Sequence, residues 1–142
     1  MVLIKFVIGI GLAALTLFSC TNEKSLQRYL VDRQDDDSFL KIDIAASLLQ
    51  TDNNNLSQEE KDILKTVKKI NVVAYPIDGE NTADYKVKRQ ELNDILNQGQ
   101  YKMLMKYGAN KQGATLKYLG EEDAIDEIIV FASDDEKGFV LF

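Results

Sequence analysis

The sequence contains no histidine and a single cysteine, Cys20. An internal disulfide and a Cys/His zinc site are therefore excluded, neither a Ser-His-Asp triad nor a Cys-His dyad can operate, and no imidazole titrates near neutral pH. Positive charge is also scarce, with 17 Lys and Arg against 23 Asp and Glu and a net charge of −6. Such a chain repels a phosphate backbone, so nucleic acid is not an expected partner, and docking on anionic lipid through a basic surface is disfavoured. Neither a G-x-S-x-G elbow nor a phosphate-binding loop occurs. What is present is 45% hydrophobic and 28% charged, the balance of a chain that folds around a core.

The longest apolar stretch, residues 6–18, follows a lone Lys5. A helix needs about 20 apolar residues to cross a bilayer, so this run reads as the hydrophobic part of a signal peptide over residues 1–19. Leu17-Phe18-Ser19-Cys20 resembles the lipobox of bacterial lipoproteins, in which the cysteine sulfur receives diacylglycerol before cleavage. Cys20 is the expected lipid attachment site, residues 20–24 a short tether, and residues 25–142 one folded domain. An uncleaved signal-anchor helix, extended past Lys5 by residues 1–4, is the alternative. Loss of Lys5 with the leader leaves 16 basic against 23 acidic residues, a net charge of −7. One acyl chain holds a protein reversibly, at about 0.8 kcal/mol per buried methylene, whereas two or three make release negligible. Thr21 in place of aspartate implies, by resemblance to known sorting preferences, the outer membrane. Glu23 alone is a poor match to the acidic tract of surface-exported lipoproteins, which leaves the domain facing the periplasm.

In the body, Leu26, Tyr29 and Leu30 predict a short helix ending near Asp35-Asp36-Asp37. Leu40, Ile42 and Ile44 alternate with Lys41 and Asp43, as in a strand with one wet face. Ser57 and Glu60 form a capping box that starts a helix with Ile63, Leu64 and Val67 on one face. Residues 70–75 are a β-branched strand closed by Pro76 and Asp78-Gly79. Asn81 or Thr82 caps a longer helix with Tyr85, Leu92, Ile95 and Leu96 as its apolar face, Lys86, Lys88, Arg89, Glu91 and Asp94 as its solvated side, and Gly99 as its end. From Tyr101 the period becomes two, with Tyr101, Met103, Met105 and Tyr107 on one side and Lys102 and Lys106 on the other. Strands over residues 114–119, 124–132 and 138–142 follow, separated by short turns. The expected class is α+β: a C-terminal antiparallel meander of about four strands, one or two earlier strands, and two or three helices packed against the sheet.

Candidate metal sites dissolve on inspection. Three consecutive carboxylates at Asp35 to Asp37 point apart and read as a solvated turn. Asp52 and Asn54 begin an EF-hand-like series, but Leu56, Ser57 and Ile63 stand where a ligand, a glycine and a bidentate glutamate are needed. The patches Glu121-Glu122-Asp123 and Asp134-Asp135-Glu136 read as solvated turns. No metal, cofactor or catalytic residue is expected. The row Tyr101, Met103, Met105 and Tyr107 is either core beneath the helices or, if exposed, a contact surface for a protein partner.

The order of an amphipathic helix, Ile70-Asn-Val-Val-Ala-Tyr75, Leu92-x-x-Ile95-Leu96, Tyr101-Lys-Met-Leu-Met105 and Ile125-x-Glu127-Ile-Ile-Val130 resembles domain of unknown function 4252, an uncharacterised lipoprotein family common in Bacteroidetes. The resemblance covers residues 25–142 and carries no catalytic residue with it. It implies an envelope role, and association of such genes with sigma-factor genes implies sensing or signalling. The expected function is non-enzymatic binding by a membrane-anchored envelope lipoprotein. The alternative is a hydrolase that uses carboxylates alone.

Overall fold

A computed structural model of the chain describes residues 24–48, 55–109 and 111–142. Among these residues three α-helices and six strands follow one another as α1 (Leu26–Asp32), β1 (Leu40–Ala45), a 3-10 turn (Ala46–Leu48), α2 (Gln58–Thr66), β2 (Lys69–Pro76), α3 (Thr82–Leu96), β3 (Lys102–Gly108), β4 (Gln112–Glu121), β5 (Ala124–Asp134) and β6 (Gly138–Leu141). Among the described residues no helix is long and apolar enough to cross a membrane.

Local signals start the helices. The Ser25 hydroxyl accepts from Arg28 N at 3.2 Å to cap α1, and the expected capping box opens α2, with Ser57 Oγ on Glu60 N and Glu60 Oε2 on Ser57 N. Each bond satisfies a backbone donor that the first turn leaves without a partner. The end of α3 is built differently from expectation. Asn97, not Gly99, is its C-cap. Its terminal carbonyl at Leu96 is met by the Lys117 ammonium from β4, which also donates to Asn97 Oδ1 at 3.3 Å. A cation at a helix C-terminus fits the dipole and replaces the left-handed glycine cap.

β3 to β6 form the expected meander, and β6 then pairs antiparallel with β2, giving the order β1-β2-β6-β5-β4-β3. β6 therefore lies in the middle of the sheet, between β2 and β5. Gly138 makes this closure possible: its φ is +115°, and a Cβ there would collide with the Tyr75 carbonyl of the neighbouring strand. Residues opposite one another in an antiparallel ladder point to the same face, so the register divides the side chains into two sets. One set, with Val73, Tyr75, Ile129, Phe131, Phe139 and Leu141, packs with Phe39 under Leu26 and Tyr29 of α1 and Tyr85, Leu92, Ile95 and Leu96 of α3. An aromatic cluster runs through this core, with Phe39 and Tyr75 edge to face at 5.2 Å and Tyr75 stacked on Phe139 at 5.6 Å.

Three expectations change. α2 buries no residue, although Ile63 and Leu64 give it an apolar stripe, so among the described helices it is α1 and α3 that supply the core. Lys88 is not on the solvated side of α3. It is buried, with its ammonium 3.2 Å from Asp36 Oδ2 and 5.6 Å from the Phe39 ring centre. Glu91, also placed on that side, is half-buried and holds Arg33 at 2.7 Å. Leu40 and Ile42 of β1 do alternate, but both remain exposed, because the β1 residues that share the helix-covered side are Lys41 and Asp43.

Candidate interaction face

The second set of side chains lies on the sheet face opposite α1 and α3. Leu40, Ile42 and Ile44 of β1 stand opposite Ala74, Val72 and Ile70 of β2, and Ala74 stands opposite Val140 of β6. The row continues through Ala132 of β5 to Ala114 of β4 and ends at Tyr107 of β3. A second row joins Val130, Leu116 and Met105, with Phe142 bonded beside Val130. Ile128 and Tyr118 begin a third, which Lys102 closes. Each of these residues up to Lys102 is apolar or aromatic. Charge appears only at the margins, where Lys102 pairs with Glu121 at 3.2 Å and Asp134 stands opposite Gly138. Exposure is high for Leu40 (59%), Ile42 (57%), Met105 (62%), Tyr107 (77%), Ile128 (59%) and Phe142 (47%).

A shallow cleft of about 680 Å³ lies on this face, floored by Ala74, Val140, Ala132 and Ala114 and walled by Tyr107. Small side chains across four adjacent strands make the depression, and the tyrosine rises beside it. These floor residues are apolar, while Asp134 and Lys137 line the cleft at the β5–β6 turn, so it offers a ligand mainly shape and removal of surface from water, with charge at one end.

The four residues singled out in β3 do not share a face. Met103 is opposite Lys117 but Met105 is opposite Leu116, so Leu104 is an extra residue in a β-bulge. The inserted residue turns the strand over. Tyr101 and Met103 go to the helix side, where the Tyr101 hydroxyl accepts from Leu26 N at 2.9 Å, while Met105 and Tyr107 go to the open side. Three consecutive apolar residues, Met103-Leu104-Met105, in an otherwise alternating strand were the available sign of a bulge. The larger part of the face, on β1, β2, β4 and β5, falls on segments whose sequence predicts strands and no site. Cys20, Leu17, Phe18 and Ser19 lie outside the described residues, as do Asp52 and Asn54.

Acidic groups serve the fold. Asp36 accepts from Ser38 N at 3.0 Å and faces Lys88; hydrogen bonding from Ser38, then from Lys88, holds its pKa down at about 2 against the opposing effect of partial burial. The Asp134 carboxylate accepts from Glu136 N and Lys137 N to shape the β5–β6 turn, and Asp135 pairs with Arg89 at 2.8 Å. Burial pushes the Lys117 ammonium down and the Tyr75 hydroxyl, which donates to Asp84, up to about 12. Among the described residues no three His, Cys, Asp or Glu side chains converge to hold a metal ion. On the helix side, a polar cleft of about 320 Å³ between α3 and β3–β4 is lined in part by Arg89, Asn93, Lys106 and Lys117, but two of its cations are already engaged by Asp135 and by the end of α3.

Compared with known families, residues 29–142 match the one described as Domain of unknown function (DUF4252). No curated protein and no solved structure matches the chain.

Proposed function

The chain belongs to the DUF4252 family, and from that premise we propose that it is a membrane-anchored lipoprotein of the bacterial cell envelope that works by binding and not by catalysis. The observation that carries the binding is the exposed apolar face on the side of the sheet away from α1 and α3, with charge only at its margins. Apolar patches of this extent are uncommon on proteins that act alone, because they cost solubility without returning stability. The anchoring half of the reading rests on the leader, residues 1–19, and on acylation of Cys20. The outer membrane, with the domain facing the periplasm, is the location that Thr21 favours. Sensing follows naturally for a tethered domain whose contact surface is covered or bare according to the state of its surroundings.

The carboxylate hydrolase has less support. Asp36, Glu60 and Asp62 have their pKa displaced downward, through hydrogen bonds from Ser38, Ser57 and Lys65. A general acid at neutral pH needs the opposite displacement.

Two measurements on the full chain in cells test the proposal. Mass spectrometry of the Cys20 peptide should find a new N-terminus at Cys20 carrying diacylglycerol; an intact Met1 or an unmodified sulfur defeats the anchoring. Formaldehyde crosslinking should join the chain to protein, and replacing Ile42 and Ile128 by aspartate should abolish the adduct while circular dichroism stays native. Equal crosslinking by that variant removes the open face from the account.

A further inference from the structure

We propose that the occupant of the open face is a second copy of this chain, so that two sheets stack face to face as a β-sandwich dimer. This deepens the binding role proposed above and rests on it. The first argument is extent. Six large apolar side chains of this face, Leu40, Ile42, Met105, Tyr107, Ile128 and Phe142, are 47–77% exposed, whereas a protein that acts alone keeps its exposed apolar residues scattered, and an interface gathers them on one face.

The second argument is shape. The face carries both a projection and a depression: Tyr107, 77% exposed, stands at the β3 edge, and the alanine-floored cleft crosses β2, β6, β5 and β4 beside it. A two-fold axis makes an interface from one patch used twice, so a patch with both features can satisfy itself. Two antiparallel sheets pack with their strands nearly aligned and about 10 Å apart, with side chains of the inner faces interlocked.

The third argument concerns the other occupants. A partner chosen by charge would find charged groups only at the margins, at Asp134 and Lys137 beside the cleft and at Lys102 and Glu121, with apolar side chains between. Lipid is disfavoured by position. The chain enters the domain at Lys24 and Leu26, bonded to Gln98 and Tyr101, beside the Tyr118 to Glu121 end of β4. The cleft lies at the Ala114 end of that strand, and a strand of ten residues is about 30 Å long. The entry of the chain and the cleft thus lie toward opposite ends of β4. Tethering also holds copies in one plane, which raises their effective concentration.

The test places the photo-crosslinking residue benzoylphenylalanine in the full-length chain in cells, in place of Ile42 or of Ile128 on the face, and of Lys86 on α3 as control. The expected result from both face positions is an adduct of twice the chain's mass containing peptides of this chain alone. Lys86 should give none, and Met105→Asp should reduce the Ile42 adduct at least tenfold. Met105 is already exposed, so that change spares the core; Tyr107→Asp gives a second variant of the same kind. An adduct containing a different protein overturns the second copy and leaves the binding role standing. An adduct to lipid, or no adduct from either face position, overturns both. Equal dimer adducts from Lys86 overturn the face as the interface.

Discussion

Asp36 illustrates how a residue placed by sequence in a solvated turn becomes a fastening point. Its carboxylate accepts from Ser38 and faces the buried Lys88, whose ammonium lies over the Phe39 ring. Replacing Asp36 by Asn should destabilise the fold by about 2 kcal/mol, because the Lys88 charge stays buried without its counterion; denaturant unfolding measures it. The pKa of Asp36 is lowered on folding from 3.8 to about 2, so its contribution is complete above the unfolded value and disappears as pH falls through the folded one. Acid unfolding of the native chain should therefore steepen between about pH 4 and pH 2, and the Asp36→Asn variant should lose that component. None of this was legible in the sequence, since Lys88 sits between Val87 and Arg89 on a helix whose charges read alike. What distinguishes it is the approach of the Asp36 turn from 52 residues away, a tertiary fact.

Among the elements, those with local determinants were legible and those set by neighbours were not. The capping box at Ser57 and Glu60, the long α3 and the meander all follow from short-range pattern, and all are present. The Leu104 bulge reverses β3 because one inserted residue exchanges the faces of a strand whose period is two. β1 alternates as a strand with one wet face does, yet alternation states only that two sides differ and not which of them meets the helices. The closure of β6 on β2 hinges on Gly138. Gly138→Ala should cost more than about 2 kcal/mol, since it combines a backbone conformation that side chains disfavour with a clash against the Tyr75 carbonyl. Loss of amide protection in β6, measured by hydrogen exchange, should accompany it; unchanged stability would contradict the β2–β6 pairing.

At the scale of the whole molecule the two faces of one sheet have opposite duties. Leu92 of α3 is fully buried on the helix-covered side, and Ile128 is 59% exposed on the other side. Leu92→Ala should cost about 3–5 kcal/mol through the cavity it leaves, whereas Ile128→Asp should change the stability of the isolated chain by less than about 0.5 kcal/mol, as expected of surface positions. The same Ile128→Asp change should impair association, and that separation of stability from binding is what the account requires. The α+β class was accessible from periodicity. The contact face was not, because an apolar strand position looks the same whether it meets a helix of its own chain or another molecule. The most direct measurement is oxidative footprinting of the full chain, purified at high dilution and in intact cells. The account predicts that Met105 and Tyr107 react in the dilute chain and are protected in cells, while Tyr101 is protected in both. Equal reactivity of Met105 and Tyr107 in the two states would contradict it.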